Sequence, residues 1–176
     1  MPNTMEQTLR VWTLTTKMNK NETLIEDFYT AFQNKDYATM IDCYHPNIHF
    51  SDPVFTDLHG NRAKAMWHML CERGKDLRVS FDNIQANETA GQAHWEASYT
   101  FSTGRRVHNV IEATFVFKDG KIIEHTDVFD LWRWTRMALG PIGWFLGWSS
   151  GLHEKVRGTA VVGLNKFITN HPEYAE

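Results

Sequence analysis

At 176 residues and 20.5 kDa, with 42% hydrophobic and 22% charged residues, the chain has the size and composition of one globular domain. A formal net charge of −3 supplies no basic field, so no nucleic-acid partner is expected. The greasiest stretch, residues 139–148, is far short of the roughly 20 residues a membrane span needs. MPNTMEQTLRVWTLTTK lacks the apolar core and cleavage site of a secretory signal, and two isolated cysteines, Cys43 and Cys71, make no disulfide framework. These features predict a soluble, cytoplasmic protein with reduced thiols.

Residues 1–17 read as an N-terminal extension, because Met18 opens MNKNETLIEDFYTAF, a natural start for the domain proper. Asn21 can cap a helix with Glu22 in its first turn and Leu24, Ile25, Phe28 and Phe32 on one face. A short second helix over residues 36–44 breaks at His45-Pro46-Asn47. Residues 48–55 read as a strand, residues 57–60 as its closing turn, and Asn61 can cap a third helix to residue 73. Four strands follow over residues 77–86, 92–102, 107–117 and 121–131, joined by short turn-rich connections as antiparallel hairpins require. Residues 132–151, WRWTRMALGPIGWFLGWSSG, hold four of the seven tryptophans. They read as a loop or short helices packed on the core or on a second subunit, with a lid over a pocket or a membrane-surface anchor as alternatives. A final helix carries Leu152, Val156, Ala160, Leu164, Phe167 and Ile168 at helical spacing.

Helices, a strand, a helix and then a meander of strands make an α+β class, not a parallel βαβ sheet. Residues 18–134 form the domain proper, and residues 135–176, the Trp/Gly-rich segment and helix, belong to the same domain. Strand alternation then sorts the side chains. His94, Glu96, Ser98 and Thr100 share one face, and Trp95, Ala97, Tyr99 and Phe101 the other. Asn109 and Ile111 share a face of the next strand, as do Ile123, His125, Asp127 and Phe129 of the last. If the polar faces meet, one concavity holds Asp52, His94, Glu96, Asn109, His125 and Asp127. The aromatic face of Trp95, Tyr99 and Phe101 would then need a partner, which predicts a homodimer.

The helix LIEDFYTAFQNKDYATMIDCYHPN, then FSDPVF, HGNRAKAMW and DGKIIEHTDVFD, in this order, resemble the nuclear transport factor 2-like fold. That superfamily includes ketosteroid isomerases, SnoaL-like polyketide cyclases and limonene-epoxide hydrolases. The resemblance covers residues 20–134 and implies a cone-shaped, curved, mainly antiparallel sheet wrapped around helices and enclosing a pocket. It implies a fold more than a reaction. Asp52 falls where ketosteroid isomerases keep their general base, while their hydrogen-bonding tyrosine falls on Phe28 and their protonated acid on or beside Ala113. Against the epoxide hydrolases, Asp127 matches one catalytic aspartate and Glu96 replaces the other. His94 stands for their arginine, Asp52 for their water-binding asparagine and Phe50 for their tyrosine.

The resemblance thus implies an acid/base set of Asp52, Asp127, Glu96 and His94, because paired carboxylates in a low dielectric separate their pKa values. Phe50, Trp67, Asn109, Ile111, His125, Phe129 and Trp134 would contact a small apolar organic substrate. No cofactor is expected, and the possible ligand set His94, Glu96, His125 and Asp127 follows no local metal-binding spacing. Structural readings stay open beside these. Asp52 before Pro53 can cap a turn, His94 and His125 can be satisfied core histidines, and Asp127 can pair with Arg62 or Arg133. The expected function is an isomerase, cyclase or epoxide hydrolase of the acid/base kind. A non-catalytic ligand-binding module and a dimeric scaffold are the alternatives.

Overall fold

The computed structural model describes residues 19–175, so the expected extension over residues 1–17 lies outside the described residues. Helix α1 (Lys20–Gln33) is capped by Asn19 rather than Asn21. The Asn19 side chain accepts from the Asn21 N–H at 3.0 Å, while the Glu22 carboxylate accepts from the Asn19 N–H at 2.9 Å. This reciprocal box satisfies donors that a helix start otherwise leaves open. Ile25, Phe28, Tyr29 and Phe32 form its buried face.

Helix α2 (Tyr37–Asp42) ends before the expected break, and Tyr44 already belongs to strand β1 (Tyr44–Ser51). The strand stops at Ser51, so Asp52 and Phe55 lie in the turn beyond it. The two-residue strand β2 (Leu58–His59) leads into α3 (Gly60–Arg73). Gly60 has φ +48°, a left-handed backbone that glycine adopts at little cost, and this starts α3 one residue before Asn61.

Strands β3 (Arg78–Ala86), β4 (Ala90–Thr100), β5 (Arg106–Lys118) and β6 (Lys121–Val128) form the predicted antiparallel meander. The curved, open sheet runs β2-β1-β6-β5-β4-β3, and only β1 and β6 pair in parallel. The protein is α+β, as the order of elements predicts. The core lies between α1, α3 and one face of this sheet. A bulge between Val116 and Phe117 opposite β6 leaves Ile123 as the extra residue, so Ile122, not Ile123, points inward with His125 and Asp127.

The Trp/Gly-rich segment is helical: α4 (Leu131–Leu139) and α5 (Pro141–Leu146) precede α6 (Ser150–Asn170) and a closing 3₁₀ turn, Pro172–Tyr174. Leu131, Trp134 and Ala138 bury themselves with Val107 in a second small cluster, and Leu164 and Phe167 of α6 join the main core. A Cβ on Gly143 would collide with the Thr135 carbonyl, so the close crossing of α4 and α5 depends on that glycine. Trp144, Phe145 and Trp148 stay largely exposed.

The inner face of β4 is the aromatic one, which corrects the polar-face expectation. Trp95 is 7% exposed inside the chain's own core, and Phe101 meets the Trp134 ring edge-on at 5.1 Å. Burying these rings against helices recovers far more apolar area than burying His94 and Glu96 would. With these rings packed inside the chain, the aromatic face of β4 does not call for a second subunit. Among the described residues, no helix is long and apolar enough to cross a membrane.

Glu22 also reaches the Ala86 N–H at 3.4 Å, and Asn19 the Ala86 carbonyl at 3.3 Å, so the cap ties α1 to the end of β3. Asn19→Ala should lower unfolding stability by about 1 kcal/mol, read from the urea midpoint at unchanged slope.

Candidate active site

Five side chains from four elements form one hydrogen-bonded line through the core. Trp67 of α3 donates from Nε1 to the Tyr44 hydroxyl at 2.7 Å, and that hydroxyl lies 2.7 Å from Nδ1 of His125. Nε2 of His125 lies 3.0 Å from Oδ1 of Asp127, which also accepts from Trp95 Nε1 at 3.1 Å. An indole N–H only donates, so the Tyr44 oxygen accepts from Trp67 and sends its own proton to Nδ1. The imidazole proton then sits on Nε2 and is given to Asp127. The hydrogen bonds of the line thus all run in one consistent direction, from Trp67 to Asp127 Oδ1.

The surroundings are apolar. His125 is 0% and Asp127 3% exposed, and the Phe50, Phe28, Phe115 and Trp67 rings pack around the imidazole. Both hydrogen bonds to the Asp127 side chain fall on Oδ1, which leaves Oδ2 as the open acceptor among the described residues. Tyr29, stacked on Phe81, buries a hydroxyl with no partner among the described residues. Burial, and then the Asp127 charge, hold that phenol well above the ordinary tyrosine range.

Asp52 lies in the turn that follows β1. Its Oδ1 accepts from the Val54 N–H at 2.6 Å and from the Phe55 N–H, an Asx turn that Pro53 fixes. Burial lifts its carboxyl from 3.8 to about 7; the Phe55 N–H works against this and the Asp127 charge adds to it. Asp52 therefore caps the turn before Pro53 and Val54, as the structural reading expected. Arg157 of α6 donates to the Pro53 carbonyl at 2.9 Å, and Trp134 of α4 donates to the Tyr99 hydroxyl at 2.8 Å. The helical tail thus packs against this end of the sheet.

The structure brings together Asp127, His125, Phe50 and Trp67, with Ile111 opposite Trp95 on the same face, and Asp52 in the turn after β1 feels the Asp127 charge. Asn109 is half-buried opposite Ala97, Phe129 bridges the two apolar clusters, and Trp134 packs beside Tyr99. His94 and Glu96 are elsewhere. They stand on the outer face of β4, where His94 meets Glu112 at 2.7 Å and Glu96 meets His108 at 2.7 Å. The Glu112 hydrogen bond raises the His94 pKa, and the His108 hydrogen bond lowers that of Glu96. They form a surface ladder with no contact to Asp127. Neither Arg62 nor Arg133 pairs with Asp127; Arg62 instead binds Asn165.

Sequence reasoning missed Tyr44, Trp95 and Tyr99. The signal for the last two was present, since alternating large rings on a strand mark the buried face. Tyr44 carried no such signal, because its strand begins inside a segment that reads as a helix end.

Between pH 4 and 7 the native chain keeps the Asp52 proton that the unfolded chain releases. Stability should therefore fall as pH rises through that window, by up to about 4 kcal/mol. Urea unfolding at pH 4.5 and 7.5 should show this slope in the wild type and lose it in Asp52→Asn. Tyr44→Phe strands the Trp67 N–H and His125 Nδ1 in the core. It should cost about 1–3 kcal/mol per orphaned group in the same assay.

A family model described as a SnoaL-like domain matches residues 25–125. No functionally curated protein matches the chain significantly. An LEH-like epoxide hydrolase of M. tuberculosis superposes with a TM-score of 0.59 at 21% identity, over 68% of this chain and 90% of that one. A nuclear transport factor 2-like protein of unknown function from Burkholderia pseudomallei gives 0.60 at 16% identity, over 69% and 98%. A protein assigned as a SnoaL-like polyketide cyclase, from a Jannaschia species, gives 0.61 at 16%, over 69% and 93%. At such identities the likeness carries the fold and not the reaction. The sheet order, the helices on its inner face and the match over residues 25–125 place the chain in the SnoaL-like domain family, with a nuclear transport factor 2-like fold.

Proposed function

We propose that this protein is a cofactor-independent acid/base enzyme acting on a small apolar organic molecule, with Asp127 as the base and Asp52 as the proton donor. The observation that carries the reading is a carboxylate 3% exposed in an aromatic core, held by two ring N–H donors and paired with no Lys or Arg among the described residues. Burying such a group costs several kcal/mol that an apolar residue would not. Two donors on Oδ1 orient the carboxylate and leave Oδ2 to take a proton. Asp52, with its carboxyl near 7, holds a proton at neutral pH and can return it, so the two acids divide the work. His125 and Trp95 position Asp127, and Tyr44 and Trp67 position His125. Proton abstraction next to a carbonyl and activation of a water both need such a pair. The epoxide hydrolase and cyclase likenesses are compatible with either.

A second reading, a non-catalytic binding module, draws on the filling of the cone by Phe28, Tyr29, Trp67, Trp95 and Phe115. The two readings separate on one substrate screen with retained ligand analysed by mass spectrometry. For the enzyme, Asp127→Asn should lower kcat by about 100-fold or more with the melting temperature kept near wild type. Wild-type activity should also fall above pH 7 as Asp52 loses its proton. Unchanged turnover in both Asp127→Asn and Asp52→Asn, or a ligand recovered chemically unaltered, would overturn the catalytic reading.

A further inference from the structure

A second polar cluster stands away from the acid/base line, where α3 meets the C-terminal end of the chain. One ligating atom from each of His68, His171 and Glu173 lies within 4.8 Å of the others. Glu72, one turn beyond His68 on α3, places Oε2 at 3.6 Å from His171 Nε2 and 4.0 Å from His68 Nε2. Ligands around a tetrahedral ion with bonds of about 2.0–2.2 Å sit roughly 3.4 Å apart, so the cluster must draw in on an ion, with Glu72 reaching it from the histidine side.

The orientation of both imidazoles fits a metal. His171 donates from Nδ1 to the Phe167 carbonyl at 3.0 Å, which leaves the Nε2 lone pair free. His68 Nδ1 lies 3.1 Å from the Tyr174 hydroxyl, so its Nε2 is likewise the outward nitrogen. Metal-bound histidines are commonly fixed this way through their second nitrogen. Stacking holds the rings as well: Tyr37 lies 3.5 Å over His68, and Phe167 3.9 Å over His171. The two imidazoles meet at 70°, so their in-plane lone pairs can converge.

The other such cluster, His49, Asp57 and His59, fails that condition. Its imidazoles lie nearly parallel, 11° apart at 4.5 Å, and both Nε2 atoms contact Asp57 Oδ1 at 3.0 and 2.9 Å. Parallel lone pairs run side by side and do not meet at one ion. This cluster is a hydrogen-bonded stack on the β1–β2 hairpin.

We propose that His68, Glu72, His171 and Glu173 bind one divalent transition-metal ion of the zinc class, fastening the C-terminal 3₁₀ turn to α3. Two imidazoles and two carboxylates suit Zn²⁺ over Ca²⁺ or Mg²⁺, which prefer all-oxygen sets. No local spacing motif announces the site, because its halves are brought together only by the packing of α6 on α3.

The test uses the full chain stripped with chelator and then freed of it. Calorimetric titration with Zn²⁺ should give one ion per chain, and Co²⁺ should develop the strong visible bands of four-coordinate geometry. His171→Ala and the exposed Glu173→Gln should each weaken Zn²⁺ binding by about tenfold or more, with circular dichroism unchanged. His59→Ala should leave it as in wild type. Absence of stoichiometric binding to the wild type would refute the site. So would binding that survives both His171→Ala and Glu173→Gln, or binding lost in His59→Ala.

Discussion

The core of this protein is organised around the need to satisfy one buried carboxylate. Asp127 lies among aromatic rings, where an unmet acceptor is expensive, so neighbouring side chains must deliver donors to it. Trp95 reaches it from β4 and His125 from two residues earlier on β6. His125 in turn needs the Tyr44 hydroxyl of β1, and that hydroxyl is met by Trp67 of α3. One acid therefore couples β4, β6, β1 and α3, and each strand must keep its register for the line to stay closed.

The same requirement explains why the irregular features lie where they do. The bulge at Ile123 keeps Ile122 inward near the hairpin end while His125 and Asp127 also face the core. The early start of β1 puts Tyr44 opposite Ile122, close to His125. At the far end of the sheet the Asp52 turn, the α4 tryptophan on Tyr99 and the α6 arginine on Pro53 hold one another. The tail residues outside the matched family segment thus take part in shaping the site.

Much of the fold was legible in the sequence, and less of the site was. The α1 face, the four-strand meander and the final helix follow from periodicity and turn residues, and the ordered motifs carried the fold. Asp52, Phe50, Trp67, His125 and Asp127 are legible as candidates because acids, histidines and large rings at strand spacing stand out. His94 and Glu96 were misplaced because polar groups were given priority over the plainer signal of Trp95, Ala97 and Tyr99 alternating with them. Tyr44 could not be read, since a parallel pairing between β1 and β6 leaves no mark in local sequence, and neither does the single extra residue of the β5–β6 bulge. The His68–His171 cluster was invisible for the same reason: it exists only in tertiary contact.

Strand β4 carries two chemistries in alternation, an inner row that includes the Asp127 donor and an outer ladder of His94 and Glu96 with His108 and Glu112. Because neighbouring residues serve opposite faces, a change on one row leaves the contacts of the other row in place. Lineages of this chain could exchange the outer histidines and glutamates, altering surface charge or solubility, without disturbing the acid inside. The inner row has no such latitude: a new residue at Trp95 must arrive together with a new donor for Asp127.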